Sequence, residues 1–362
     1  MNPRDDTTDA RPVLLTGDRP TGRLHLGHYV GTLKNRVAMQ QEFRTYLIIA
    51  DLHMLTTRNS RDDVLASEQH IVDMVLDSIA AGIDPAQATF YLQSAIPEVC
   101  EINTYFQNLV TVPRLERMPS LKDMARDANK EEMPYGLLGY PVLQAADILC
   151  VRGNVVPVGK DNLAHVEVTR EIARRFNHLY GDFFPVPEAL VGEVPTLVGL
   201  DGGAKMSKSL DNAIFLSDDE ATVRKKVRSM YTDPARTRPD IPGRLEGNPV
   251  FSYHDAFNPD RAEVDDLKAR YVTGRVGDVE VKDKLAVAVN ALLEPMRARR
   301  RAFAEQPGLV EQVIIDGTAT VRAVVQDTVG GMRRAMGLAQ VADGLARRAR
   351  FRHDTKQALE AR

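Results

Sequence analysis

Apolar positions follow two alternating patterns through the first half of the chain, short continuous runs and stripes at helical spacing. Val13-Leu14-Leu15, Tyr46-Leu-Ile-Ile-Ala50, Thr89 to Leu92 and Val155 to Val158 are runs bounded by punctuation residues, which predicts strands buried on both faces of a parallel sheet. After the turn at Pro20-Thr21-Gly22, the positions Leu26, Tyr29, Val30 and Leu33 predict a helix starting near Leu24. Ser60 and Asp63 form an N-terminal capping pattern, and Val64, Ile71, Val72, Val75 and Ile79 trace one apolar face up to Gly82. That helix reads as core packing alone. Further helices are expected over Glu98 to Leu109, from Tyr140-Pro141 onward, and from Asn162 to Phe176.

Beyond Ser209 the strand signals fade. A helix over Val223 to Met230 stops at Tyr231-Thr-Asp-Pro234, and Pro239, Pro242, Gly243, Gly247 and Pro249 read as a loop-rich linker. Helices follow near 260–271, 279–303 and 308–337. The expected fold class is α/β: a Rossmann-type parallel-sheet nucleotide-binding domain over 1–215 with a helical insertion near 97–138, an all-helical domain over 216–340, and a basic tail over 341–362. From Gly330 onward eight Lys/Arg stand against three Asp/Glu, a composition suited to nucleic-acid phosphates or to a solvated terminus. Arg299-Arg-Arg301 faces RNA or solvent, with solvent the default for a single charge run.

Composition narrows the classes. A chain of 362 residues, 43% of them hydrophobic, has ample material for a core. No run of 18 apolar residues occurs, so no membrane span is expected. The polar start MNPRDDTTDAR is neither a signal nor a transit peptide. Cys100 and Cys150 stand far apart without CxxC or CxxH companions, which excludes a disulfide framework and a zinc site and fits a reducing, cytoplasmic location. The net charge of −3 does not decide for or against a nucleic-acid partner, because RNA needs only a local basic surface.

The chemistry begins at His25-Leu26-Gly27-His28. A helix start presents unpaired N–H groups and a positive dipole end to an anion, two imidazoles about one turn apart add donors, and Gly27 lets a ligand approach the backbone. Gly17 and Gly22 have the spacing of a Walker A loop, but Arg23-Leu24 stand where Lys-Ser/Thr should follow. Far downstream, Lys205-Met206-Ser207-Lys208-Ser209 follows a glycine-rich stretch, and its two flexible ammonium groups suit a phosphate whose charge moves during reaction. Asp147 puts an acceptor-only carboxylate into an apolar segment and therefore needs a partner. A ligand N–H and Arg152 are the two candidates. Ala145 and Ala146 beside it leave room for a large flat ligand. Asp51 and His53 follow the second strand, where ligands bind in open α/β sheets. Asp161, at another strand-to-helix junction, is placed either to cap a helix or to accept from ribose hydroxyls.

HLGH and KMSKS together resemble the signature pair of the class I aminoacyl-tRNA synthetases. The blocks GDRPTGRLHLGHYVG, Arg114-Leu-Glu-Arg-Met118, Gly139 to Leu149, Val156 to Asp161, Glu167 to Ile172 and KMSKS are similar, in order, to those of the tryptophanyl-tRNA synthetase family. The dense likeness covers residues 13 to about 210, and a looser one runs to about Leu338.

The resemblance implies activation of L-tryptophan by ATP, with Mg²⁺ accompanying the nucleotide, and transfer to tRNA(Trp). It implies catalytic roles for His25, His28, Lys205 and Lys208. ATP contacts are implied for Arg19, Pro20, Thr21, Gly27, Gly159, Lys160, Asp161, Leu197, Met206, Ser207 and Ser209. Tryptophan contacts are implied for Asp147, through the indole N–H, and for Tyr140, Gln144, Asn162 and His53. It also implies a homodimer built through the insertion and an anticodon-reading helical domain. Three positions depart from the family pattern: Met124 replaces a second lysine near the phosphates, leaving Lys122, while Gln144 replaces a methionine and Asn162 a glutamine. A tyrosine-specific synthetase, a small-metabolite nucleotidyltransferase and a weakly active paralogue serving as a binding module are the rival readings. The Asp147 block argues against the first, the KMSKS loop with its long helical region against the second, and the intact signature pair against the third.

Overall fold

The computed structural model describes residues 9–119, 121, 133–159, 162–191, 197–203, 206 and 210–360. Five parallel strands, β1 (Val13–Asp18), β2 (Arg44–Ile49), β3 (Ala88–Leu92), β4 (Val155–Val158) and β5 (Glu188–Val191), form a sheet in the order β3-β2-β1-β4-β5. After β1, α1 (Leu26–His28) runs through a π-helical turn, Tyr29–Leu33, into α2 (Lys34–Met39). The helices α3 (Asp51–Met54), α4 (Arg61–Ala81), α5 (Glu98–Gln107), α6 (Val112–Glu116), α7 (Tyr135–Cys150) and α8 (Leu163–Tyr180) complete the α/β part. Then come α9 (Glu220–Arg228), α10 (Pro249–Phe257), α11 (Arg261–Tyr271), α12 (Asp278–Ala304), α13 (Leu309–Ala335) and α14 (Leu338–Glu360).

Side chains alternate across a strand, so a strand buried on both faces needs apolar residues at every position. On β2, Leu47 and Ile49 enter one core with α4 and the C-terminal helices, while Tyr46 and Ile48 enter the other with α5, α7 and α8. This explains why the strands read as continuous runs. The chain turns outward from β1 to β3 and returns on the other side at β4, so the sheet's topological switch point lies between β1 and β4. Ligands bind above the carboxyl ends of the strands at such a point.

The helical half is fastened to this sheet. β3 is an edge strand, and α13 covers it: the Thr318 hydroxyl oxygen accepts from the Leu92 N–H at 3.0 Å. Gly317 makes the approach possible, because a Cβ there would sit 2.0 Å from the Phe90 carbonyl oxygen. Arg299 donates to the Ala80 carbonyl at 2.7 Å, and Arg300 reaches Asp73 at 2.6 Å and Asp77 at 2.9 Å, all on α4. The expectation that Arg299-Arg-Arg301 faces solvent or RNA is thereby corrected for Arg300, while Arg299 stays exposed alongside its bond to Ala80. Arg301 turns instead to Glu294 on its own helix.

Other expectations need revision. Tyr140-Pro141 does not open a helix; α7 starts at Tyr135 behind Pro134, and Pro141 lies inside it. An interior proline costs about 3 kcal/mol. The buried side chains of Leu137, Val142, Ile148 and Leu149 each return about 1.5–3 kcal/mol, so packing outweighs the defect. Val64 is exposed rather than part of the apolar face of α4. Ala145 and Ala146 are wholly buried in the core and leave no space for a ligand. Within the stretch read as linker, Asn248 caps α10 by accepting from the Val250 N–H at 3.0 Å, with Pro249 at the first helical position. Strand β5 was not foreseen: its apolar run Ala189-Leu190-Val191 lies on an edge strand where only Ala189 is even half-buried. The basic tail is helical as α14.

Gly317→Ala is expected to lower stability by about 3 kcal/mol, read from the urea midpoint, because the backbone contact with Phe90 has no room to relax. His254 gives a pH signature. Its Nε2–H donates to the Val281 carbonyl at 2.9 Å and its Nδ1 accepts from Asn258 at 3.2 Å. Burial holds the imidazole below the usual 6.5, against the opposing pull of the Val281 carbonyl, Glu263 and Asp255. The fold therefore binds the neutral ring, and its contribution is complete above pH 6.5 and lost as pH falls below that value. Urea titrations of wild type and His254→Gln across this range are expected to show a shallower acid-side loss in the variant.

Candidate active site

β1 delivers its carboxyl end, Gly17 and Asp18, to the switch point. Buried Arg36 on α2 reaches back to pair with Asp18 and donates to the Gly17 carbonyl at 3.2 Å. The chain then turns through Arg19, which donates to the Thr57 hydroxyl at 3.3 Å, and through buried Pro20 and half-buried Thr21. Leu24 to Leu26 form a short antiparallel pairing with the segment after KMSKS: Leu26 N–H donates to the Ile214 carbonyl and Leu216 N–H to the Leu24 carbonyl, both at 2.9 Å.

His25 is the N-cap of α1 and is nearly buried. Its backbone N–H donates to His28 Nδ1 at 3.2 Å, and the two rings lie 3.8 Å apart between centroids. With Nδ1 as acceptor, His28 keeps Nε2 as its donor nitrogen. A Cβ on Gly27 would lie 3.0 Å from the His25 ring and 3.5 Å from Met206 Sδ, so Met206 of the second motif sits directly on the first. The Met206 N–H donates to the Leu197 carbonyl at 3.3 Å. Lys205, Ser207, Lys208 and Ser209 lie outside the described residues, as do Lys160, Asp161, Lys122 and Met124.

Asp77 on α4 holds this assembly in place. Its Oδ2 accepts from the Leu24 N–H at 2.9 Å and its Oδ1 from Arg300 at 2.9 Å. Burial raises the pKa of the carboxyl, and the Leu24 N–H and Arg300 oppose that shift. The helix read as core packing alone thus positions the HLGH segment. The sequence carried no signal of this role: Asp77 lies two residues from both Val75 and Ile79, on the opposite side of the helix from that apolar stripe, where a polar residue reads as solvent-facing.

A cavity of about 210 Å³ opens above the switch point. Gly17, Asp18, Arg19 and Arg36 line it together with His53, Tyr140, Gln144, Asp147 and Asn162. All five residues expected around tryptophan therefore meet in one space. Gly159 adjoins it, its carbonyl accepting from the Asn162 N–H at 3.0 Å. Pro20, Thr21, His25, Gly27, His28, Leu197 and Met206 do not line the cavity. Asp147 is almost fully buried, yet Arg152 is not its partner; the guanidinium lies over the Phe183 ring at 4.6 Å. The carboxylate meets His53 Nε2 at 2.7 Å and the Gln93 amide at 2.8 and 3.0 Å. The Tyr140 ring stands edge-on to His53 and His165, and His165 Nδ1 bonds Gln144 Oε1 at 2.8 Å. Gln93 and Arg36 escaped sequence reasoning, although Gln93 follows a strand end as Asp51 and His53 do.

The family pattern of tRNA synthetases class I (W and Y) matches residues 7–294. The tryptophan–tRNA ligase of Treponema pallidum is 62% identical over 325 residues, covering 90% of this chain and 96% of the relative. The chain belongs to the class I tryptophanyl-tRNA synthetases. The tryptophan–tRNA ligase of Borreliella burgdorferi is 52% identical over 92% of this synthetase and 96% of its own length. Among solved structures, the tryptophanyl-tRNA synthetase of Campylobacter jejuni complexed with ADP and tryptophan superposes with a TM-score of 0.78 at 34% identity, over 90% of this synthetase and 99% of that chain.

Asp77→Ala leaves the buried Leu24 N–H without its acceptor, while Arg300 keeps Asp73. The expected cost is about 1–3 kcal/mol of unfolding free energy. In ATP–pyrophosphate exchange the KM for ATP is expected to rise more than that for the amino acid, because the HLGH segment and not the Asp147 side of the cavity loses its anchor.

Proposed function

We propose that the chain activates L-tryptophan with ATP to tryptophanyl-adenylate and transfers the tryptophanyl group to the 3′ end of tRNA(Trp). The observation that carries this reading is the buried Asp147 acceptor in the lining of a cavity that Gly17, Asp18 and Arg19, the residues leading toward HLGH, also line. The Campylobacter relative holding ADP and tryptophan in the same fold supports it.

In the first step a tryptophan carboxylate oxygen attacks the α-phosphorus of ATP in line, and the bond to the β-phosphate oxygen breaks to release pyrophosphate. In the second, a hydroxyl of the tRNA's terminal ribose attacks the adenylate carbonyl, loses its proton, and AMP departs. No covalent enzyme intermediate is needed, so the enzyme's part is positioning and charge stabilisation. His25, His28, Lys205 and Lys208 hold the triphosphate and the departing pyrophosphate. Arg19, Pro20, Thr21, Gly27, Met206, Ser207 and Ser209 shape that end. Gly159, Lys160, Asp161 and Leu197 serve the ribose and adenine.

Mg²⁺ comes with ATP, ligated by phosphate oxygens and water. The imidazoles and lysines at the phosphate end suit phosphate oxygens, while a hard cation prefers carboxylates. Asp147 takes the indole N–H, Tyr140, Gln144 and His53 enclose the ring, and Asn162 takes the ammonium group. A buried acceptor rejects side chains that leave it unpaired, which makes a separate editing site unnecessary. The working unit is a cytoplasmic homodimer built through residues 97–138, with tRNA read by the helical region over 216–340 and its phosphates met by the basic tail over 341–362. No helix among the described residues is long and apolar enough to cross a membrane.

Amino-acid-dependent ATP–pyrophosphate exchange tests the reading. Exchange is expected with tryptophan and not with tyrosine or phenylalanine, and Asp147→Ala is expected to lower kcat/KM for tryptophan about 100-fold or more. Exchange with tyrosine instead overturns the assignment of substrate.

A further inference from the structure

Resting on the tryptophan reading above, we propose that Gln93 is a positioning residue for specificity: it holds the Asp147 carboxylate so that one oxygen lone pair stays directed to the indole N–H. Gln93 is wholly buried immediately after β3, and it does not line the cavity. It acts from behind the carboxylate and never touches the ligand.

Its amide orientation follows from its contacts. The Leu52 N–H donates to Gln93 Oε1 at 3.1 Å, so Oε1 must be the acceptor end and the NH₂ must face Asp147. That NH₂ donates to Oδ1 at 2.8 Å and to Oδ2 at 3.0 Å, while His53 Nε2 approaches Oδ2 at 2.7 Å. A carboxylate has about four lone-pair sites. Two contacts fall on Oδ2 and one on Oδ1, which leaves a site on Oδ1 as the acceptor for a ligand in the cavity. Gln93 thereby ties two strand ends to a helix: β2 through Leu52, β3 through its own backbone, and the specificity helix α7 through Asp147.

Without the amide, the carboxylate can rotate about its terminal torsion, which is broad and two-fold. Oδ1 then has no donor, and the acceptor loses its aim. The titratable groups packed around this position are Asp147 and Cys150 on α7, Tyr91 on β3, and His53 and Asp51 on α3. The Cys150 Sγ donates to the Asp147 carbonyl at 3.1 Å, and Asp51 accepts from the Ser94 N–H at 2.9 Å. None of them takes Gln93's place as a donor to Asp147 Oδ1. Replacement by glutamate is informative, because it keeps size and the acceptor for Leu52, and it donates to Asp147 only when protonated.

The chain contains no tryptophan, so the fluorescence anisotropy of free L-tryptophan titrated with the whole protein reads binding without background from the protein. Wild type, Gln93→Leu and Gln93→Glu are compared at about pH 6 and about pH 8, after circular dichroism has verified folding. Gln93→Leu is expected to weaken tryptophan binding about tenfold or more at both pH values, with the KM for ATP unchanged. Gln93→Glu is expected to be weakened at the higher pH and to recover toward wild type at the lower, since a carboxyl facing a buried carboxylate is protonated more readily. Should Gln93→Leu fail to fold, the isosteric glutamate variant carries the test by itself. Wild-type affinity in Gln93→Leu, or the same ratio to wild type at both pH values in Gln93→Glu, overturns the proposal. No binding of tryptophan by the wild type overturns the reading it rests on and the proposal with it.

Discussion

A carboxylate shut away from water holds the entry to the HLGH helix of this synthetase in place. Asp77 accepts from the Leu24 N–H on one side and from Arg300 on the other. It therefore locks together α4, the entry to HLGH and the C-terminal helix α12. An isolated buried charge costs several kcal/mol, whereas one whose oxygens are both matched becomes a rigid joint. From that joint the rest follows: Leu24 and Leu26 are set for pairing with Ile214 and Leu216, and this pairing brings the stretch that follows KMSKS against the start of the helix that carries His25 and His28.

A second buried carboxylate does the corresponding work in the lining of the cavity. Asp147 is held by His53 and Gln93, which come from the ends of neighbouring strands. The two carboxylates are separate joints: Asp77 fixes the backbone that enters HLGH, and the Asp147 network fixes a carboxylate in the lining of the cavity. The switch point between β1 and β4 lies between them, where the parallel sheet leaves a gap by construction.

The helical half contributes to this arrangement as well as packing beside it. α13 satisfies the free edge of β3 through Thr318, and α12 supplies Arg299 and Arg300 to α4. Stability of the C-terminal helices and geometry of the phosphate end are thus coupled through the same hydrogen bonds.

By itself the sequence determined the elements with strong local signals. The continuous apolar runs of β1 to β4, the Ser60 cap of α4 and the long helices after 260 were all legible, because burial on both faces and capping each leave a local pattern. The motifs HLGH and KMSKS and the anomalous Asp147 marked the site. Tertiary structure alone decided which donors meet Asp147, that Asp77 and Arg300 pair across 223 residues of chain, that Pro141 sits inside a helix, and that β5 joins the sheet. Those outcomes rest on contacts between distant segments, where the free energy of packing and of matching a buried polar group exceeds the local preference. No periodicity along the chain records the identity of such a partner.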